Sequence, residues 1–167
     1  MTPIVSIIMG STSDLPVMEK AAKFLNEMQV PFEMNALSAH RTPREVEEFA
    51  RTASERGLKV IIAGAGMAAA LPGAIAAATI VPGIGVPIKG MLDGLDALFS
   101  INQMPPGIPG ATVGVNGALN AAILAVEMLA LSDKNIAENV MAYKEGLKDK
   151  IVKANEELAA ITYDYKC

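Results

Sequence analysis

The 167-residue chain has one cysteine, Cys167, and it is the last residue. No disulfide can form within the chain, so a reducing compartment is the default expectation and the cytoplasm the expected location. Histidine is equally scarce, with His40 alone. One imidazole and one terminal thiol exclude a histidine- or cysteine-based metal site, and the acidic residues lack metal-loop spacing, so no metal is expected. There is no large excess of charge: the formal net charge is −4, which gives no footprint for nucleic acid or a membrane surface. Any anionic ligand must be gripped locally. The apolar stretch Val60 to Val86 is broken repeatedly by glycine and proline, which argues for a buried sheet and short helices rather than a membrane span. The N-terminal MTPIVSIIMG lacks a basic start and a cleavage site, so no signal peptide is expected. No internal repeat, low-complexity tract or linker stands out.

What is present is alternation. Ile4 to Met9 is a β-branched apolar run ending at Gly10, as in a strand buried on both faces. Ser13 or Asp14 can cap the helix that follows, with Pro16 in its first turn and Leu15, Met18, Ala22, Leu25 and Met28 at helical spacing. Phe32 to Leu37 reads as a second strand. Thr42-Pro43-Arg44-Glu45 has the pattern of a capping box and predicts a helix start two residues beyond His40. Leu58 to Ala63, Gly83 to Ile88 and Ala111 to Val115 predict three more strands, each followed by a helical segment. Strands apolar on both faces and alternating with helices predict a doubly wound α/β sandwich with a central parallel sheet. Asn120 to Leu131 predicts a nearly uncharged helix buried on most sides, and Asn135 to about Ala159 a long charged one. So small a body has little room to bury the first and support the second, which predicts association with other copies. Residues 1–133 make the compact α/β body, and 134–167 a C-terminal helical extension of the same domain used in packing between copies.

In open α/β sheets ligands bind outside the carboxyl ends of the strands. Three loops fall there: GSTSD after the first strand, SAHRTP after the second and AGAGMAAALPG after the third. Gly10-Ser11 before a helix offers free amides and a favourable dipole to a phosphate, with the hydroxyls of Ser11 and Ser13 nearby. Arg41 can hold a phosphate or carboxylate bidentately. His40 beside it is the residue type best suited to carry protons near neutral pH. The glycine loops lack the full G-x-G-x-x-G spacing and a P-loop lysine, so neither a dinucleotide nor ATP is expected. Gln103 to Pro109, QMPPGIP, is too proline-rich for a helix and reads as a rigid loop.

The motifs IIMGSTSD, SAHRTP, VIIAGAG-AA-LPG, LDGLDAL-SI-QMPPGIP-ATVGV and NAA-LA--ML run in order over about residues 3 to 133. Together they resemble the N5-carboxyaminoimidazole ribonucleotide mutases, the class I carboxylases of purine biosynthesis. The resemblance implies a three-layer flavodoxin-like sandwich, assembled as an octamer with C-terminal helices exchanged between neighbours. It implies an isomerase that interconverts N5-carboxyaminoimidazole ribonucleotide and 4-carboxy-5-aminoimidazole ribonucleotide without metal or organic cofactor. The carbamate would release carbon dioxide inside a closed site, and the imidazole C4 would recapture it. Holding the two together gives an effective molarity that can reach about 10⁵ M. By the same resemblance His40 would manage the protons, Ser11 and Arg41 face the phosphate, and Asp14 the ribose hydroxyls. Ser38, Gly64 and Leu71 would line the same pocket.

The chain departs from the family pattern at six positions. Met67 stands for a glycine and Ala70 for a histidine in the third motif, so a second imidazole is missing. Gly83, Gly90, Asn102 and Gly110 stand where valine or another β-branched residue, serine, valine and valine are expected. Such changes suit a diverged or engineered version, and two further readings stay open. One is an oligomeric scaffold of the same fold with impaired turnover. The other is a generic flavodoxin-like phosphate-binding module, which would not depend on His40.

Overall fold

The computed structural model describes residues 1–167 as a five-stranded parallel sheet between two helical layers. In chain order the elements are β1 (Val5–Met9), α1 (Leu15–Glu27), β2 (Phe32–Ala36), α2 (Pro43–Thr52), β3 (Val60–Gly66), α3 (Leu71–Ala78), β4 (Gly83–Ile88), α4 (Leu95–Asn102), β5 (Ala111–Thr112), α5 (Ala118–Ala130) and α6 (Lys134–Ala160). The strand order β2-β1-β3-β4-β5 is the doubly wound, flavodoxin-like order. The chain reverses its direction of travel across the sheet between β1 and β3, and a crevice opens there at the carboxyl edge.

Two apolar clusters explain the layers. Val5, Ile7 and Met9 face one side and pack with Met18, Phe24 and Leu25 of α1 and Ala122 and Val126 of α5. Ile8, Ile61 and Ala63 face the other, against Val46 and Ala50 of α2, Ile75 of α3 and Ala97 and Ile101 of α4. Because side chains alternate along a strand, residues that read as one unbroken apolar run supply both cores. Register pins this arrangement: Ile7 lies beside Met34 and Ile62, and Ala63 beside Gly85. No helix is long and apolar enough to cross a membrane.

The expected elements are all present, but β3 starts two residues later and runs three residues further than the expected Leu58–Ala63, taking in AGAG of the expected loop, and three further corrections follow. First, β5 is only Ala111–Thr112 rather than Ala111–Val115. Val113 still donates to the Gly85 carbonyl, but the next β4 residue facing β5 is Pro87, which has no N–H to continue the ladder. Its carbonyl accepts instead from Asn116, after the chain has turned away. Second, neither Ser13 nor Asp14 caps a helix with its side chain. Ser11 does so, accepting from the Ser13 amide at 3.3 Å to open a 3-10 turn, Thr12–Asp14, that runs into α1. Third, the capping box at Thr42 does not form. The Thr42 amide is taken by the Ser38 carbonyl at 2.8 Å, and its hydroxyl donates to that same carbonyl while accepting from the Ser38 amide. The threonine braces the loop before the helix instead of the helix itself.

Helix α5 is buried along Ala118, Ala121, Ala122, Ala125, Val126 and Leu129, covered by α1 and by the first turns of α6. There Val140 is buried, Tyr143 meets Phe24 edge-on with ring centroids 4.8 Å apart, and Lys144 pairs with Glu127. Beyond Gly146 the helix carries Leu147, Ile151, Val152 and Leu158, all exposed. At its end the Lys166 ammonium donates to the carbonyls of Leu158, Ala159 and Ile161, satisfying acceptors that a helix terminus leaves open.

Candidate active site

A cleft of about 640 Å³ opens at the carboxyl edge of the sheet. The loop after β1 contributes Gly10, Ser11, Ser13 and Asp14, and the loop after β2 contributes Ser38 to Arg41. The far wall runs from Ala65 at the end of β3 to Leu71 at the start of α3, with Ile88 at the end of β4 and Lys89 and Gly90 beyond it. Ser11, Asp14, Ser38, His40, Arg41 and Leu71, distant in sequence, therefore share one cavity.

The β2 loop is rigid for a local reason. The Ser38 hydroxyl accepts from the Arg41 amide at 3.2 Å and from Arg41 Nε at 3.3 Å, while Thr42 closes the turn from the other side. Arg41 then reaches across to β1, its Nη2 donating to the Gly10 carbonyl at 2.7 Å. One guanidinium thus ties the two loops together and is held in place at the cleft. His40 lies at the crest of this braced turn with its side chain exposed.

Asp14 sits half-buried at the cleft floor, and its carboxyl titrates above the ordinary carboxylate range. Desolvation is the largest cause; the amides of Ser11 and Gly10 and the charge of Arg41 pull the other way and only partly offset it. A desolvated carboxylate with unused lone pairs is a strong acceptor for ligand hydroxyls.

Gly64 is not brought to the cleft wall. It is buried within β3, beside Met9, and a Cβ there would collide with Met18 Sδ of α1. Its glycine is required by helix-on-sheet packing, and the wall begins one residue later at Ala65. Met67 has φ 55°, a left-handed conformation that suits glycine, and its side chain lies over Gly90. Ala70 lines the cleft just ahead of α3, whose first residue Leu71 lines it too. Lys89 also lines the cleft, as does Gly90, which the sequence marks only as a departure from the family pattern. The signal for their place was available, because the loop after β4 ends at the same sheet edge as the three loops that were recognised.

The family model described as AIR carboxylase matches residues 4–150. The chain belongs to the AIR carboxylase family. It is 60% identical over 147 residues to a Pyrococcus abyssi protein named N5-carboxyaminoimidazole ribonucleotide mutase, covering 87% of this chain and 84% of the relative. A Thermotoga maritima protein of the same name is 52% identical over 162 residues, covering 96% and 95%. Among solved structures, Treponema denticola PurE superposes with a TM-score of 0.84 at 32% identity, covering 93% of this chain and 98% of that one. The family match spans all four loops of the cleft, so the AIR carboxylase assignment and the geometry concern the same residues.

Proposed function

We infer that the protein is the isomerase that interconverts N5-carboxyaminoimidazole ribonucleotide and 4-carboxy-5-aminoimidazole ribonucleotide in purine biosynthesis. The observation that carries this reading is the meeting of GSTSD, SAHRTP and AGAGMAAALPG in one cleft, in a chain about 50–60% identical to relatives named for that reaction.

The chemistry divides into two half-reactions that balance. In the first the carbamate N–C bond breaks, its electron pair returns to the amine nitrogen, and carbon dioxide is set free beside aminoimidazole ribonucleotide. In the second the ring C4 attacks carbon dioxide, a C–C bond forms, and the proton on C4 must leave. The nitrogen gains one proton overall and C4 loses one, so a single base that carries a proton between them suffices. His40 is that carrier, and with Ala70 across the cleft both transfers fall to it. Ser11 and Arg41 hold the phosphate, where a partly prepaired guanidinium loses little freedom on binding. Asp14 accepts from the ribose hydroxyls. Ser38 positions Arg41, and Leu71 supplies apolar wall beside the ring. No metal or organic cofactor enters either half-reaction.

The assembly we propose is a homo-octamer in the cytoplasm, in which the C-terminal extension, residues 134–167, packs on its own body through its first turns and against neighbouring copies beyond Gly146. Its support is the apolar stripe of α6 beyond Gly146, which continues the buried side of the helix with nothing beneath it in one chain. Incubating the protein with either carboxylated ribonucleotide alone and following both by proton NMR tests the activity. Approach to one equilibrium mixture from both directions is expected. Ligand binding without interconversion would instead favour the impaired scaffold, which Ala70 and the departures at Gly83, Gly90, Asn102 and Gly110 would explain.

A further inference from the structure

One cation of the cleft has no part in the scheme above. Lys89 is the first residue beyond β4 and stands in the wall between Ile88 and Gly90. Its backbone is fixed: the amide donates to Asn116 Oδ1 at 2.8 Å, and Asn116 is itself anchored through its amide to the Pro87 carbonyl at 2.8 Å. Its charge is not fixed. Nζ pairs with Asp93 Oδ1 at 3.1 Å, but the two side chains are 57% and 85% exposed. An exposed pair of this kind biases the lysine by less than about sixfold. A rigid stem therefore carries a movable ammonium at the edge of the site.

The ligand has an anion at each end, the phosphate and the carboxylate that moves. The cleft runs from the β2 loop to the β4 loop, three strand spacings or about 14 Å. Arg41 and the Ser11 turn occupy the β2–β1 end, and Arg41 already spends donors on Gly10 and Ser38. Along the opposite wall, Ala65 to Ala70 offers no charged side chain, so Lys89 is the cation there. We propose that Lys89 binds the migrating carboxylate, leaving Asp93 as the ligand enters. This rests on the mutase reading and deepens it. Lysine suits such a role. The carboxylate shifts between two neighbouring ligand atoms, and a compact ammonium on a flexible stem can follow it where a planar guanidinium would favour one position. Because Lys89 holds the carboxylate before and after transfer, its contribution is uniform binding, felt in KM more than in kcat.

The test is titration calorimetry with 4-carboxy-5-aminoimidazole ribonucleotide and with uncarboxylated aminoimidazole ribonucleotide. Lys89→Met should weaken the carboxylated ligand about 10- to 150-fold, the range for a charge-assisted bond, and leave the uncarboxylated one within about twofold. Lys89→Arg should recover part of that loss. Asp93→Asn should tighten the carboxylated ligand, by less than about sixfold, since it removes the competing partner while asparagine tolerates the left-handed φ of 56° found there. Steady-state kinetics on Lys89→Met should place the loss mainly in KM. Equal losses for both ligands would assign Lys89 to the phosphate or to folding and overturn the proposal, as would unchanged affinity for the carboxylated one. Wild-type protein that binds neither ribonucleotide would overturn the mutase reading itself, a result distinct from selective failure of the Lys89 arm.

Discussion

At the scale of single residues, the site is bought with stability, and Asp14 shows how. Its carboxyl binds a proton more tightly in the folded protein than in the unfolded chain, because folding desolvates it. The associated stability is fully present below the ordinary carboxylate pKa and is lost as pH rises through the elevated folded value. Above that window the ionised Asp14 opposes folding. Asp14→Asn should therefore raise the melting temperature at pH 7 and give no such gain near pH 3, while weakening ribonucleotide binding; thermal melts at the two pH values, with calorimetry, check both. A gain of equal size at both pH values would show that desolvation is not the cause. Met67 carries a different cost. A methionine at φ 55° is strained by about 1–3 kcal/mol, against about 0.5–1 kcal/mol of extra chain entropy lost if glycine replaces it. Its side chain is exposed, so little burial is forfeited. Met67→Gly should raise the melting temperature by roughly 2–4 °C, the shift about 1 kcal/mol produces in a chain this long. The sequence marked Met67 as unusual by resemblance; only the backbone angle supplies the reason.

At the scale of elements, strand positions were legible because parallel strands buried on both faces leave unbroken apolar runs, as Val60 to Ala63 does. The errors came where one residue's behaviour depends on a distant one. Pro87 ends β5, but nothing in Ala111–Val115 itself reveals which carbonyls and amides of β4 will face it. Thr42 has the right spacing for a capping box and is diverted by Ser38, four residues before it. The placement of Gly64 was hidden for the same reason, since Met18 of α1 decides it. The β4–α3–α4 junction carries a testable consequence. Gly83 and Gly110 border a small apolar cavity of about 10 Å³, and a Cβ built at Gly83 meets nothing within 4 Å. Too apolar to order a water, this slot lacks partner atoms on one side. Gly83→Val should stabilise the fold by about 1–2 kcal/mol through reduced chain entropy and added burial, measured by chemical denaturation. Loss of stability would mean that α3 and α4 already close the slot in solution.

At the scale of the whole molecule, the body and the extension behave as separate problems. The first turns of α6 belong to the body, through Val140, Tyr143 and the Lys144–Glu127 pair. The later turns expose Leu147, Ile151 and Leu158 on one stripe. Deleting residues 147–167 should leave the melting cooperative and yield smaller species than the proposed octamer in sedimentation velocity; full-length protein that sediments as a monomer would contradict the proposed assembly. In the sequence the proposed association rests only on an excess of apolar helix over available core, and the division of α6 at Gly146 is visible only in the packing around Phe24. The proposed mechanism turns on one base at the cleft, His40, serving both proton transfers. The most direct measurement is single-turnover interconversion of the two carboxylated ribonucleotides by wild-type protein and by His40→Asn, with binding measured in parallel. The expected result is a rate loss of at least about 10²–10⁴-fold with affinity kept within about tenfold. Undiminished turnover in His40→Asn would contradict the claim.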